Sequence, residues 1–322
     1  MEVIAEAGPN IALVKYWGKR PGPRNLPAAG SLSITLGGLC ATTRVRASSA
    51  AEDSLLINEA SDPQATGRAR SCLTELREVL DASGALDVVS AVNFPVAAGL
   101  ASSAAGFAAL TVAAHAYYGG TLGAEALARI AGHTSGSAAR SLFGGFVELA
   151  APRHDGDDIR VGPLADAGHW PLAVVVAVTE HGRKPIGSGA AMRRTAQTSP
   201  YYPAWLESQD DDLALARAAV MARDFQKLAD VAEANCLKMH ATLLAARPGI
   251  VYFNAATVDA IARIRALRAA GTAVFFTVDA GPQVKAVCLP DAAVAVAAAL
   301  REIRGVEDVT TVALGAAPRL RT

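Results

Sequence analysis

The 322-residue chain has no surplus of either charge, because 30 Lys and Arg balance 30 Asp and Glu. A balanced protein has no global field to gather nucleic acid or an anionic membrane, so neither is expected as a partner. An anionic ligand must be held by local charges. Cysteine is scarce: Cys40, Cys72, Cys236 and Cys288 lie far apart and form no C-x-x-C pair. That argues against a disulfide framework or a zinc site, and for free thiols in a reducing cytoplasm. No Gly-Lys-Ser/Thr follows a glycine-rich turn, and no dinucleotide fingerprint, Ser/His/Asp order or metal-ligand spacing stands out. The opening Met-Glu-Val-Ile-Ala-Glu carries acid where a signal peptide carries base. The apolar stretch 94–114 is long enough for a membrane span, but Pro95, Gly99, Gly106 and the paired Ser102 and Ser103 suit a loop and helix instead. A cytoplasmic setting is expected.

Hydrophobic residues make up 52% of the chain, much of it Ala and Val, and the length suggests about two domains. In the first half, 2–7, 31–36 and 41–47 are rich in strand formers, with Gly37-Gly38 punctuating the last two like a hairpin. Helical spacing runs over 63–82, a strand over 87–93, and a helix over 122–131 stopped by Gly132 before a strand at 145–150. The Asp-, Gly- and Pro-rich stretch 152–168 reads as a surface excursion. The second half reads as a strand at 171–179, helices over 212–246 (broken near Arg223-Asp224) and 255–269, strands at 274–278 and 284–289, a helix at 292–303 and a strand at 309–314. That β-α-β-β-α-β order is the split βαβ, ferredoxin-like arrangement. A division near 181–184 places a ligand cleft between two halves.

Five clusters carry candidate chemistry. In 94–106, Pro95 and Gly99 make a turn ahead of Ser102 and Ser103, and small residues follow to about Tyr118. A serine-rich turn opening a helix collects free N–H groups, hydroxyls and the positive end of a dipole, which is an anion cradle. An Ala-rich buried helix with a serine cap has the same composition. In 10–20, Lys15, Tyr16, Lys19 and Arg20 gather cations and a phenol beside Gly18, as for an anionic substrate or as a solvated basic loop. In 135–145, Ser135, Gly136 and Ser137 expose backbone donors, and Arg140 can fork onto a carboxylate or phosphate, or form a salt bridge. The stretch 184–202, with Ser188, is an anion-binding candidate or a linker. In 276–282, Asp279 ends a hydrophobic strand before Ala280-Gly281-Pro282, either in reach of a bound hydroxyl or as a turn former. His240, among apolar residues on a helix, reads as a core histidine.

Taken together these clusters resemble one family. The Pro-x-x-x-Gly-Leu-x-Ser-Ser-Ala-Ala turn is similar to the phosphate-binding motif of the GHMP small-molecule kinases. With Ile11 through Lys19, Ser31-Leu32-Ser33, Asn93 to Ala105, Ser135-Gly136-Ser137, Arg140, Thr198-Ser199-Pro200 and Asp279-Ala280-Gly281-Pro282, nearly the whole chain resembles the diphosphomevalonate decarboxylases. The resemblance implies an α+β protein with a ribosomal-protein-S5-like ATP-binding domain over 1–182 and a ferredoxin-like domain over 183–322. It implies an enzyme that uses ATP and Mg2+ to phosphorylate the 3-hydroxyl of mevalonate 5-diphosphate and release isopentenyl diphosphate, ADP, phosphate and CO2, and a homodimer. Asp279, Arg140 and Lys19 would be catalytic, with Arg140 on the C1 carboxylate. Tyr16, Lys19, Ser135, Gly136, Ser137, Arg140, Ser188, Asp279 and Ala280 would surround the substrate. Asn93, Ala98, Gly99, Leu100, Ala101, Ser102 and Ser103 would hold ATP. The chain departs from the family at Ala28-Ala29-Gly30 before Ser31, at Ala139, at Gly189 and at Gln283. A 5-monophosphate decarboxylase, a 3-kinase without CO2 release and a nucleotide-binding regulatory protein are the alternatives on this scaffold.

Overall fold

A computed structural model describes residues 1–22, 24–94, 102–154, 156–182 and 185–321. Strands β1 (Glu2–Ala7) and β2 (Asn10–Val14) follow one another yet enter different sheets, and so do β3 (Ser31–Thr35) and β4 (Ala41–Ala47). The hairpin expected at Gly37-Gly38 therefore does not form. Gly37 instead lies where an added Cβ would stand 3.1 Å from the Leu314 carbonyl, and its N–H donates to Ala313 O at 2.8 Å. The chain changes sheets there because the far end of the molecule packs against the turn.

Next come the short β5 (Ser54–Ile57), α1 (Pro63–Leu80), β6 (Leu86–Val92), α2 (Ser102–Tyr117) and α3 (Ala124–Thr134). Asp62 caps α1 by accepting from Gln64 N and Ala65 N, with Pro63 in the first turn. Helix α2 buries Ala104, Ala105, Ala108, Ala109, Ala113 and Ala114 together with Phe107 and Leu110. Small side chains let it lie close against β1 and β4 on one side and α1 and α3 on another. A 3-10 turn (Ala138–Leu142) leads to β7 (Phe146–Ala150) and β8 (Arg160–Ala165). The excursion expected over 152–168 thus contains a strand, which pairs antiparallel with β7 despite Gly162 and Pro163. It is an edge strand, where proline is tolerated.

The second half contains β9 (Ala173–Val178), α4 (Ser188–Thr198), α5 (Tyr202–Glu207), α6 (Gln209–Ala222), α7 (Phe225–Leu244), α8 (Ala255–Ala269), β10 (Val274–Val278), β11 (Val284–Cys288), α9 (Ala293–Arg301), β12 (Asp308–Ala313) and β13 (Arg319–Arg321). The stretch 184–202 is no mere linker, since α4 occupies most of it. The break expected near Arg223-Asp224 is present: Arg223 takes φ +53° and Asp224 caps α7 by accepting from Lys227 N.

Among the described residues three sheets result, in the orders β13-β1-β4-β6-β5, β2-β3-β7-β8 and β10-β11-β9-β12. The last is all antiparallel in its pairings, with helices between β9 and β10 and between β11 and β12, which is the ferredoxin-like order. A division at 182 falls after β9, whose ladder partners are β11 and β12; a division between β8 and β9 agrees with the pairing. One face of this sheet, with Val284, Ala286 and Cys288, packs on Ala260, Ile264 and Val296 of α8 and α9. The other, with Val174, Val176, Phe275 and Val287, shares a core with Ile11 and Leu13 of β2. Both faces being covered explains the near-continuous apolar runs. β13 returns to pair antiparallel with β1, and Arg319 reaches Glu6 at 2.9 Å. No helix among the described residues is long and apolar enough to cross a membrane.

Candidate active site

Strand β10 delivers Asp279 to the seam between the two halves. Its turn is held from three sides: Thr179 Oγ1 and Thr257 Oγ1 donate to Pro282 O at 3.1 and 2.7 Å, and Gly281 N donates to Asp279 O at 2.8 Å. Gln283 accepts from Thr179 N at 2.6 Å and donates to Glu180 O at 2.7 Å. The departure at Gln283 therefore concerns the backbone of the turn.

Two lysines close on the carboxylate. Lys15 Nζ lies 2.7 Å from Oδ1 and Lys285 Nζ 3.3 Å from Oδ2. Both lysine side chains are about 1% exposed, whereas the Asp279 side chain keeps 24% of its surface. Burial alone would push the Asp279 carboxyl up, but the two lysines outweigh it and hold it well below the usual carboxylate range. Burial, opposed by Asp279, pulls Lys285 down. Lys15 is positioned by its own backbone, whose N–H donates to Asn235 Oδ1 of α7 at 2.7 Å and whose carbonyl accepts from Gln209 Nε2 at 3.0 Å. Sequence reasoning placed Lys15 in the basic cluster but not on Asp279, and passed over Lys285.

Arg140 is 3% exposed, and among the described residues no carboxylate pairs with it. Asn10 Oδ1 accepts from Nε at 3.1 Å and Nη2 at 2.9 Å, and Ser31 Oγ accepts from Nη1 at 3.1 Å. Burial lowers its pKa to about 10 against the opposing influence of Tyr16 and Asp279. A buried guanidinium held only by neutral acceptors is poised for an anion. Its neighbours Asn10 and Ser31 were missed as site residues. Asn10 is itself fixed by donating to Ser137 O at 2.9 Å and Ser141 Oγ at 2.7 Å.

The Arg140 guanidinium stands 5.5 Å from the centre of the Tyr16 ring. The Tyr16 hydroxyl is buried with no hydrogen-bond partner among the described residues, and burial pushes its pKa up. Gly136 must be glycine here, because a Cβ would lie 2.0 Å from Tyr16 Oη. Ser135 and Gly136 are buried, and the Ser135 and Ser137 hydroxyls are 3.5 Å apart. Ala280 is buried in the core that includes Tyr16.

Lys19 faces a second cationic group. Burial, then Arg193 and Arg68, pull its pKa down. An added Cβ on Gly189 would be 3.7 Å from Lys19 Nζ and 3.9 Å from Arg193 Nη1, so both cations lie over the first turn of α4, which opens with Ser188. Arg68 sits 4.8 Å from the Phe107 ring centre, and its buried Nε lacks a hydrogen-bond partner among the described residues. Arg193 and Arg68 were also missed: Arg193 lies in the stretch 184–202 but was not singled out there, and Arg68 lies in none of the candidate clusters.

Ser102 and Ser103 open α2, as the cradle requires. Ala98, Gly99, Leu100 and Ala101 lie outside the described residues. Asn93 is committed to the backbone: its Oδ1 accepts from Cys40 N at 2.8 Å and its Nδ2 donates to Gly38 O at 3.0 Å. His240 is buried, its Nε2 3.1 Å from Val278 O, and burial lowers its pKa to about 3, as suits a core histidine.

The site thus joins one carboxylate to an excess of cations drawn from both halves. Such an arrangement suits a small molecule with several anionic groups and one hydroxyl.

Comparison with known proteins agrees. Residues 7–159 match the diphosphomevalonate decarboxylase-like N-terminal domain, and residues 174–317 the mevalonate 5-diphosphate decarboxylase C-terminal domain. The chain is 36% identical over 318 residues to diphosphomevalonate decarboxylase mvd1 of Aspergillus fumigatus, covering 92% of this chain and 79% of that protein. It is 35% identical over 315 residues to the human diphosphomevalonate decarboxylase, covering 90% and 77%. A solved structure described as a complex with MVAPP, AMPPCP and magnesium matches with TM-score 0.91 at 34% identity, covering 100% of this chain and 99% of that one. The mevalonate diphosphate decarboxylase of Staphylococcus aureus matches with TM-score 0.92 at 31% identity, covering 100% and 98%. With both halves matched in order and the fold shared over its full length, the chain belongs to the diphosphomevalonate decarboxylase family.

Proposed function

We propose that the protein converts mevalonate 5-diphosphate and ATP to isopentenyl diphosphate, ADP, phosphate and CO2. The observation that carries this reading is Asp279 clamped by two lysines, with the buried Arg140, which meets only neutral acceptors among the described residues, beside it. Asp279 accepts a hydrogen bond from the substrate 3-hydroxyl and aims its oxygen at the γ-phosphorus. A carboxylate held so acidic is a weak resting base, but a loose phosphoryl-transfer transition state needs orientation more than basicity. Arg140 forks onto the C1 carboxylate and sets it beside C3. When the 3-phosphate leaves, positive charge builds at C3, the C1–C2 bond electrons form the C2–C3 double bond, and CO2 departs.

The Lys19, Arg193 and Arg68 group, with Ser188 at the α4 mouth, receives the 5-diphosphate; three cations favour two phosphates over one. Tyr16, Ser135, Gly136, Ser137 and Ala280 line the space between. Ser102 and Ser103 at the α2 N-terminus receive the nucleotide phosphates. Among the described residues no trio of His, Cys, Asp or Glu could hold a metal. That fits Mg2+ carried by phosphates and water with few protein oxygens, the Ser102 and Ser103 hydroxyls being the donors at that helix mouth. When bound, Mg2+ supplies neutralisation of the phosphate oxygens. A cytoplasmic setting is supported by the free state of all four cysteines, and the homodimer implied by the resemblance is checked by light scattering.

The test is incubation with ATP, Mg2+ and either mevalonate 5-phosphate or 5-diphosphate, following CO2, ADP and organic product. CO2 release with the diphosphate is expected. ADP without CO2 would make the protein a kinase, and preference for the monophosphate would reassign the substrate.

A further inference from the structure

We infer that Lys285 is a positioning residue for the reaction, fixing the plane of the Asp279 carboxylate from the neighbouring strand so that one open edge faces the substrate hydroxyl. This rests on the proposed decarboxylase reading.

The case begins with where Lys285 sits. It lies mid-strand on β11, opposite Thr277 of β10 and Val176 of β9. Its partners on the same face, Phe275 and Val287, pack with Ile11 and Leu13 of the first half. Thr277 Oγ1 donates to Ala12 O across that seam at 3.1 Å. If packing alone mattered, another apolar residue would occupy position 285, because removing an ammonium from water is costly. The lysine is instead turned onto Asp279 Oδ2 at 3.3 Å while Lys15, from the other half, takes Oδ1 at 2.7 Å.

With one lysine on each oxygen, rotation about the last side-chain bond would break both contacts. At 1% exposure Lys285 is covered, whereas Asp279 keeps an open edge. Lys285 therefore acts through Asp279 instead of touching the substrate. Its charge also keeps the carboxylate ionised: burial pushes Asp279 up, and removing one of two opposing cations should let it rise. The other groups around the carboxylate are Lys15 at the end of β2, Arg140, and His240 and Cys236 on α7. Burial holds His240 at about 3 and raises Cys236.

The experiment compares wild type with Lys285→Met from pH 4 to 8, above the His240 titration, measuring kcat, KM for both substrates and thermal midpoint. We expect kcat to fall on the order of 10²-fold, the cost of a misplaced reacting group, with KM values within about threefold. The acid limb of kcat lies below this range in wild type, where the two lysines hold Asp279 well below the usual carboxylate range, and should rise into the lower end of it in the variant, which loses one of the two opposing cations. A lower thermal midpoint with unchanged kcat and acid limb overturns the inference, since a purely structural lysine predicts that result. Should the Met variant not fold, Lys285→Arg decides: the wild-type acid limb with reduced kcat is expected, and wild-type kcat overturns it. Absence of CO2 release by wild type would sink the decarboxylase reading itself, which is a separate outcome.

Discussion

Two ionic clusters in this protein share their chemistry and differ in balance. In the first half, Asp53 receives Arg77 bidentately, Nη1 to Oδ1 at 2.9 Å and Nη2 to Oδ2 at 2.8 Å, and Leu86 N donates to Oδ1 at 2.8 Å. The hydrogen bond to Asp53 foremost raises the Arg77 pKa, and Gly84 O and Tyr118 Oη accept from its guanidinium. One charge meets one charge, and the fork is satisfied. At the seam, Asp279 meets two lysines, and Arg140 nearby makes no ion pair among the described residues. Burial is common to both clusters, so burial does not distinguish them. Surplus cation does: a cluster left electrostatically incomplete by its own chain is completed by a ligand.

That contrast can be broken from either end. The largest effect is expected for Asp279→Asn, which keeps size and an acceptor but removes the charge. Turnover should fall by about 10²–10⁴-fold with substrate affinity nearly kept, as checked by single-turnover kinetics beside binding calorimetry. A catalytically normal but unstable variant would return Asp279 to the class of turn formers. Asp53→Asn should do the reverse. Leaving Arg77 half-satisfied should cost roughly 3 kcal/mol of stability, read from denaturant unfolding, with near-normal specific activity in the folded fraction.

Arg140→Lys sharpens the comparison, since it preserves charge and removes the fork. An ammonium cannot copy two parallel N–H bonds to a carboxylate. Losing one charge-assisted bond suggests about 1.5–3 kcal/mol, or roughly 10–150-fold in kcat/KM. Full activity in the Lys variant would reduce Arg140 to a counter-ion.

The smallest effect concerns a third cluster, His133, whose Nδ1 lies 2.7 Å from Glu75 and Nε2 2.7 Å from Asp158. Burial would lower its pKa, but the two carboxylates outweigh it and raise it. A raised folded pKa gives stability that is full below the unfolded value and lost as pH rises through the folded one. The thermal midpoint should therefore decline as pH climbs above about 6.5, and His133→Gln should flatten that slope without altering the pH profile of kcat.

Much of this was legible in the sequence, and the omissions share a cause. The strand formers of β4, the strand at β6, the break at Arg223-Asp224 and the β-α-β-β-α-β order of the second half are local patterns, and they appear where expected. Strand β2 was hidden because Asn10–Val14 runs straight into the basic cluster, and β8 because Gly162 and Pro163 interrupt it. The hairpin at Gly37-Gly38 failed because two strands close in sequence can serve different sheets, which no dipeptide signals. The site behaves likewise. Asp279 ends an apolar strand and can be seen, but its partner Lys15 is 264 residues away. Lys285 left one trace, a charge inside the run Val284-Lys285-Ala286-Val287-Cys288, where burial on both faces should have excluded it. That local conflict with the pattern was the signal available.

The return of β13 to β1 has a consequence for the order in which the protein is made. Glu6 and its partner Arg319 are 313 residues apart. At about 5–20 residues per second, a ribosome needs roughly 15–60 s to supply the second strand after the first has emerged. For that interval the first sheet has an open edge at β1, displaying unpaired amide groups to any neighbouring nascent chain. Glu2 and Glu6 lie on this strand, and their charges repel its pairing with an identical strand until Arg319 and Arg321 arrive to neutralise Glu6. The same carboxylate thus guards an exposed edge during synthesis and fastens it afterwards.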